Sequence, residues 1–148
     1  MVVALVGKPA SGKTYWRNAL AAQLGWRSLD IADYGYAGTG RWSRLLTDIA
    51  SDLPVIIESC ASPLEYRNLL ARVPSMVIEV TASTSVRRGR LAERMLTSSE
   101  QKEWLRMSRR PPRRPDARMK SDGPMADHPM ALVPMIAARA AAKGRNAG

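Results

Sequence analysis

Gly7-Lys8-Pro9-Ala10-Ser11-Gly12-Lys13-Thr14 is a complete G-x-x-x-x-G-K-[ST] phosphate-binding loop. A short apolar run, Val2-Val3-Ala4-Leu5-Val6, precedes it and reads as a buried strand. A helical pattern follows it, with Trp16, Ala19, Leu20, Gln23 and Leu24 near one face and Gly25 as the stop. Strand, glycine-bracketed turn and helix are the context the motif needs. Backbone N–H groups of the turn converge on an anion, and the helix N-terminus adds its free donors and the positive end of its dipole. Residues 7–14 are therefore expected to hold ATP. Lys13 would reach the terminal phosphates, and the Thr14 hydroxyl would ligate Mg2+.

Strand and helix signals alternate outward from this loop. Trp26–Ile31 reads as a second strand that closes in acids, followed by a Gly-rich stretch up to Gly40. Arg41 to Leu53 carries the stripe Trp42, Leu45, Leu46, Ile49 and Leu53 of an amphipathic helix. Pro54–Ser59 reads as a third strand. Ser62-Pro63-Leu64-Glu65 opens a helix with both a capping box and an N-terminal proline, and that helix ends near Arg72. Met76–Val80 is a fourth strand. A basic helix begins after Ser83 or Thr84 and runs to about Met95, and a further helix begins near Ser98 or Ser99. The proline-arginine stretch 109–115 cannot be helical and reads as a loop. Residues around Met125 to Met130 read as a last strand, and Ala131 to Lys143 as an Ala-rich helix. This order predicts one domain over 1–148. It is a three-layer α/β P-loop NTPase fold, a parallel sheet of about five strands with helices on both faces and an Arg-rich lid at about 84–120. Ligands of such sheets lie at the carboxyl ends of the strands, so the loops after the strands should form the site.

Composition bounds the alternatives. The 148 residues carry 23 Lys and Arg against 13 Asp and Glu, a net charge of +10. Much of the excess lies between Arg87 and Lys120, a distribution that favours polyanions such as nucleotide phosphates or a nucleic-acid backbone. One cysteine excludes an internal disulfide and fits a reducing, cytoplasmic compartment, and one histidine excludes a His-rich metal site. No stretch has the roughly 20 apolar residues of a membrane span.

Phosphoryl transfer needs charge neutralisation and an aligned acceptor more than covalent help. Asp33, just past the second strand, is the expected general base. Asp30 is the alternative base or a ligand of a magnesium-bound water. Glu58 closes the apolar run Val55-Ile56-Ile57 in the manner of a Walker B acid and is expected at the metal with Thr14. Arg87, Arg90 and Arg94 recur at helical spacing and would clamp phosphates from the lid, with Arg88 on another side of the same helix. Tyr34, Tyr36 and Arg41 stand in or beside the Gly-rich stretch, on the expected acceptor side.

These motifs resemble the small P-loop kinases of the nucleoside and nucleotide type, with the likeness nearest to the kinase domain of phage polynucleotide kinases. The similar parts are Gly7–Thr14, Asp33-Tyr34, Glu58-Ser59 and Val86-Arg87-Arg88, within roughly residues 1–95. The resemblance implies Asp33 as general base, Arg88 as a transition-state arginine, and Lys13 and Thr14 on ATP·Mg. With the basic segment it implies a kinase of a hydroxyl on nucleic acid, a 5′ end or a hydroxymethylated base in DNA. This includes the phage enzymes that phosphorylate 5-hydroxymethyluracil in DNA, which would place the protein in a host cytoplasm. Two other readings stand beside it: a kinase of a free nucleotide, nucleoside or small metabolite, and a nucleotide- and nucleic-acid-binding module without catalysis. The Gly35–Gly40 stretch departs from the polynucleotide-kinase acceptor region, and the 109–115 stretch has no counterpart there.

Overall fold

A computed structural model describes residues 1–35, 40–51, 54–59, 64–107, 111–123 and 126–144. Five strands form one sheet in the order β2-β3-β1-β4-β5, and every neighbouring pair is parallel. They are β1 Val2–Val6, β2 Arg27–Asp30, β3 Val55–Ser59, β4 Ser75–Thr81 and β5 Ala117–Lys120. The helices are α1 Lys13–Leu24, α2 Arg41–Ser51, α3 Leu64–Arg72, α4 Thr84–Ala92, α5 Ser98–Arg106 and α6 Val133–Gly144, with short 3-10 turns at Ile31–Tyr34 and Pro129–Leu132.

The continuous apolar character of β1 follows from burial on both faces. Its side chains alternate between two cores, as a period of two requires. Val2, Ala4 and Val6 meet Leu45, Ile49, Tyr66 and Leu70 of α2 and α3. Val3 and Leu5 face Trp16 and Leu20 of α1 and Ile136 of α6. Trp42 belongs to the first core as its helical stripe predicts, with its ring 5.1 Å from that of Tyr66. Among the described residues no helix is long and apolar enough to cross a membrane.

The helix starts obey local chemistry. Ser83 caps α4 by accepting from Val86 N, and Thr97 and Glu100 form a reciprocal capping box on α5. The expected cap at Ser62 and Pro63 lies outside the described residues.

The last strand differs from its sequence expectation. It is not near 125–130, where the described part is irregular over 126–128 and then enters the Pro129–Leu132 turn, but at Ala117–Lys120. Asp116 explains why. Its carboxylate accepts from Val77 N at 2.7 Å while its own N–H donates to Val77 O at 2.7 Å. Arg113 and Arg139 neutralise it, each at 2.8 Å. This anchor sets β5 against β4, so residues 117–120 belong to the sheet rather than to the lid. The basic helix also stops earlier than expected, at Ala92.

Candidate functional site

β1 delivers the chain into the loop at a point where no side chain would fit. A Cβ on Gly7 would lie 2.3 Å from the Val80 carbonyl oxygen, a backbone atom of β4. The loop then turns through Ala10, a non-glycine residue at φ 60°, and Gly12 at φ 100°. Ser11 N donates back to Lys8 O at 3.2 Å. Lys13 begins α1, is almost wholly buried, and its ammonium donates to Lys8 O at 3.0 Å, which holds it across the loop.

The next residue reaches the neighbouring strand. Thr14 donates its hydroxyl to Glu58 Oε1 at 2.9 Å. Glu58 is the penultimate residue of β3 and buried, and its Oε2 has no hydrogen-bond partner among the described residues. Arg17, one helical turn beyond Lys13, approaches that oxygen at 3.6 Å and Asp30 at 3.1 Å. Asp30 and Glu58 are register partners on β2 and β3, so one guanidinium serves two adjacent carboxylates. Burial pushes the Glu58 carboxyl above its ordinary value and Asp30 adds to this, while Thr14, Lys13 and Arg17 oppose it.

This pair fits magnesium by its chemistry. A hydroxyl and a carboxylate with an unsatisfied oxygen are hard donors. No cluster of three or more His, Cys, Asp or Glu side chains that could hold a metal occurs among the described residues, so the cation would take its remaining oxygens from phosphate and water.

On the acceptor side, Asp30 caps the turn after β2 by accepting from Ala32 N at 2.9 Å, and Arg17 lies on its other oxygen, so each oxygen has a partner. Asp33 is exposed on that turn. Tyr34 donates to Asp48 of α2 at 2.6 Å, and burial with Asp48 pushes its phenol up to about 12. Arg44 donates to Tyr34 O and Arg41 to Gly35 O at 3.2 Å, so both arginines of α2 hold the backbone of the segment leading into the Gly-rich stretch. Tyr36 lies outside the described residues.

The α4 arginines divide as helical spacing predicts. Arg87 and Arg90 both turn toward the phosphate loop, where they meet carbonyl oxygens, and Arg88 is exposed. Arg94 lies beyond the helix end with its guanidinium 5.6 Å from the Trp104 ring, tying α4 to α5. Two residues of the site were not foreseen from sequence. Arg17 follows Trp16 on a helix whose exposed face is polar, and nothing local marks it. Ser121 follows a strand that was itself misplaced.

No protein-family model matches the chain, and no curated protein matches it. Solved structures do. A Chloroflexus aurantiacus protein with a provisional kinase name superposes with a TM-score of 0.72 at 19% identity, over 93% of this chain and 97% of that one. A gluconokinase from Sinorhizobium meliloti gives 0.64 at 20% identity, over 98% and 94%. A shikimate kinase from Aquifex aeolicus gives 0.59 at 18% identity, over 100% and 99%. The chain has the α/β fold of the P-loop kinases. These neighbours match that coarse likeness and add nothing to the finer one with phage polynucleotide kinases.

Proposed function

We propose that the protein is an ATP-dependent kinase that transfers the γ-phosphoryl group to a hydroxyl of a small molecule. The observation that carries this reading is the Thr14–Glu58 hydrogen bond, which joins the end of the phosphate loop to a strand-end carboxylate beside Asp30. Loop N–H groups and Lys13 would bind the phosphates, and Thr14 and Glu58 would hold the magnesium that neutralises them. Asp33 takes the proton of the acceptor hydroxyl. The acceptor oxygen bonds to the γ-phosphorus as the bond to the β–γ bridging oxygen breaks, and ADP departs.

A small acceptor is favoured over nucleic acid on two grounds. The gluconokinase and shikimate kinase among the neighbours are, by name, kinases of small hydroxylated acids. Part of the basic segment is also engaged within the protein. Arg87 and Arg90 serve the loop, Arg113 serves Asp116 and Ser75 O, and Arg118 pairs with Glu79 at 2.7 Å. These four charges are directed at the protein itself, which leaves fewer of them to a polymer backbone. The test offers γ-labelled ATP and magnesium with hydroxylated carboxylic acids, polyols, free nucleosides, nucleoside monophosphates, 5′-hydroxyl oligonucleotides and hydroxymethyluracil DNA. Label in a small molecule is expected; label confined to the polymers overturns the assignment.

A further inference from the structure

Three successive carbonyls of the phosphate loop are held from outside it. Pro9 O accepts from Arg87 Nε at 2.8 Å, Ala10 O accepts from Arg90 Nη1 at 3.1 Å, and Ser11 O accepts from Ser121 Oγ. The donors come from two elements far apart in sequence, α4 and the turn after β5. Arg90 joins them, because its Nη2 donates to Ser121 O at 2.9 Å and its Nη1 to Ser121 Oγ at 3.3 Å. Arg87 adds α5 through Trp104 O at 3.4 Å.

A planar trans peptide points its C=O and the following N–H in opposite directions. Holding the carbonyls of residues 9 and 11 therefore turns the N–H groups of Ala10 and Gly12 away from the clamp, while Ser11 N–H closes its turn on Lys8 O. The Ala10 bond falls at the one non-glycine residue with positive φ among the described residues, where the backbone needs support to persist. The fit is close. A Cβ on Gly12 would sit 3.1 Å from Ser121 Oγ and 3.3 Å from Arg90 Nη1.

We propose that Arg87, Arg90 and Ser121 are positioning residues that clamp the phosphate loop in its anion-binding shape, acting on the loop rather than on the phosphates. This rests on the reading that the loop binds a nucleotide. It also changes the role of the α4 arginines. They act through the backbone of residues 9–11, so their contribution is common to every ligand with a phosphate tail and does not depend on a γ-phosphate.

That equality is the test. Magnesium ADP and magnesium ATP are titrated calorimetrically into the parent, Arg90→Met, Arg90→Lys and Ser121→Ala, with circular dichroism to confirm folding. Arg87→Met is a further variant, but Arg87 is buried, so Arg90 and Ser121 carry the test if that variant does not fold. Arg90→Met is expected to weaken ADP and ATP by the same factor, about tenfold or more, since a charged hydrogen bond is lost. Arg90→Lys is expected to recover part of the loss for both ligands. A loss for ATP with ADP unchanged would place the arginine on the γ-phosphate and overturn the proposal. Unchanged affinity for both ligands would overturn it as well. Failure of the parent itself to bind ADP defeats the nucleotide reading instead.

Discussion

Thr14 and Glu58, 44 residues apart in sequence, share a hydrogen bond of 2.9 Å between the first turn of α1 and the end of β3. The loop lysine precedes one partner, and the other keeps an oxygen without a hydrogen bond among the described residues. Thr14 and Glu58 would hold a magnesium ion there, which would supply charge neutralisation to the phosphates. Thr14→Ala and Glu58→Gln are each expected to weaken magnesium-nucleotide binding about tenfold, with little change in nucleotide binding without magnesium. Calorimetry with and without the metal separates the two effects.

Asp33 and Asp30 are separated by their engagements. Asp30 gives one oxygen to Ala32 N and the other to Arg17, whereas Asp33 is exposed on the same turn. Asp33→Asn should preserve nucleotide affinity and lower turnover by roughly 10²–10⁴. Equal turnover in Asp33→Asn and the parent would transfer the role to Asp30.

Gly7 tests the loop's packing. Alanine there places its Cβ 2.3 Å from Val80 O, and backbone cannot rotate away as a flexible side chain can. Gly7→Ala is expected to cost on the order of 1–3 kcal/mol of stability, as overpacking does, and to weaken nucleotide binding. Urea denaturation and nucleotide titration measure the two losses.

Tyr34 gives a pH signature. Its folded pKa, about 12, lies above the ordinary 10.0, so between these values the folded chain holds a proton that the unfolded chain has lost. The contribution to stability is complete below pH 10 and disappears as pH rises through that window. Tyr34→Phe also loses the bond to Asp48, and its stability should fall less steeply than the parent's across the same range, as read by denaturation at successive pH values.

Much of the architecture was legible because apolar period and motif coincide. The β1 run, the loop and the Trp16–Leu20 face each point to one structure, and Ser83 begins its helix by simple capping. β5 was not legible. Ala117-Arg118-Met119-Lys120 is an edge strand with charged residues at every second position, preceded by prolines, and a tertiary contact at Asp116 sets its place. The site shows the same division. Spacing placed Arg87 and Arg90 on one side of α4, but their partners are main-chain carbonyls that no side-chain pattern records. Arg17 stayed hidden because its two carboxylates come together only when β2 pairs with β3.

The most direct test is calorimetric titration of magnesium ATP into the folded parent and into Lys13→Ala. A saturable heat with one site in the parent, lost in the variant, is the predicted result. No heat in well-folded parent protein would contradict the account at its base.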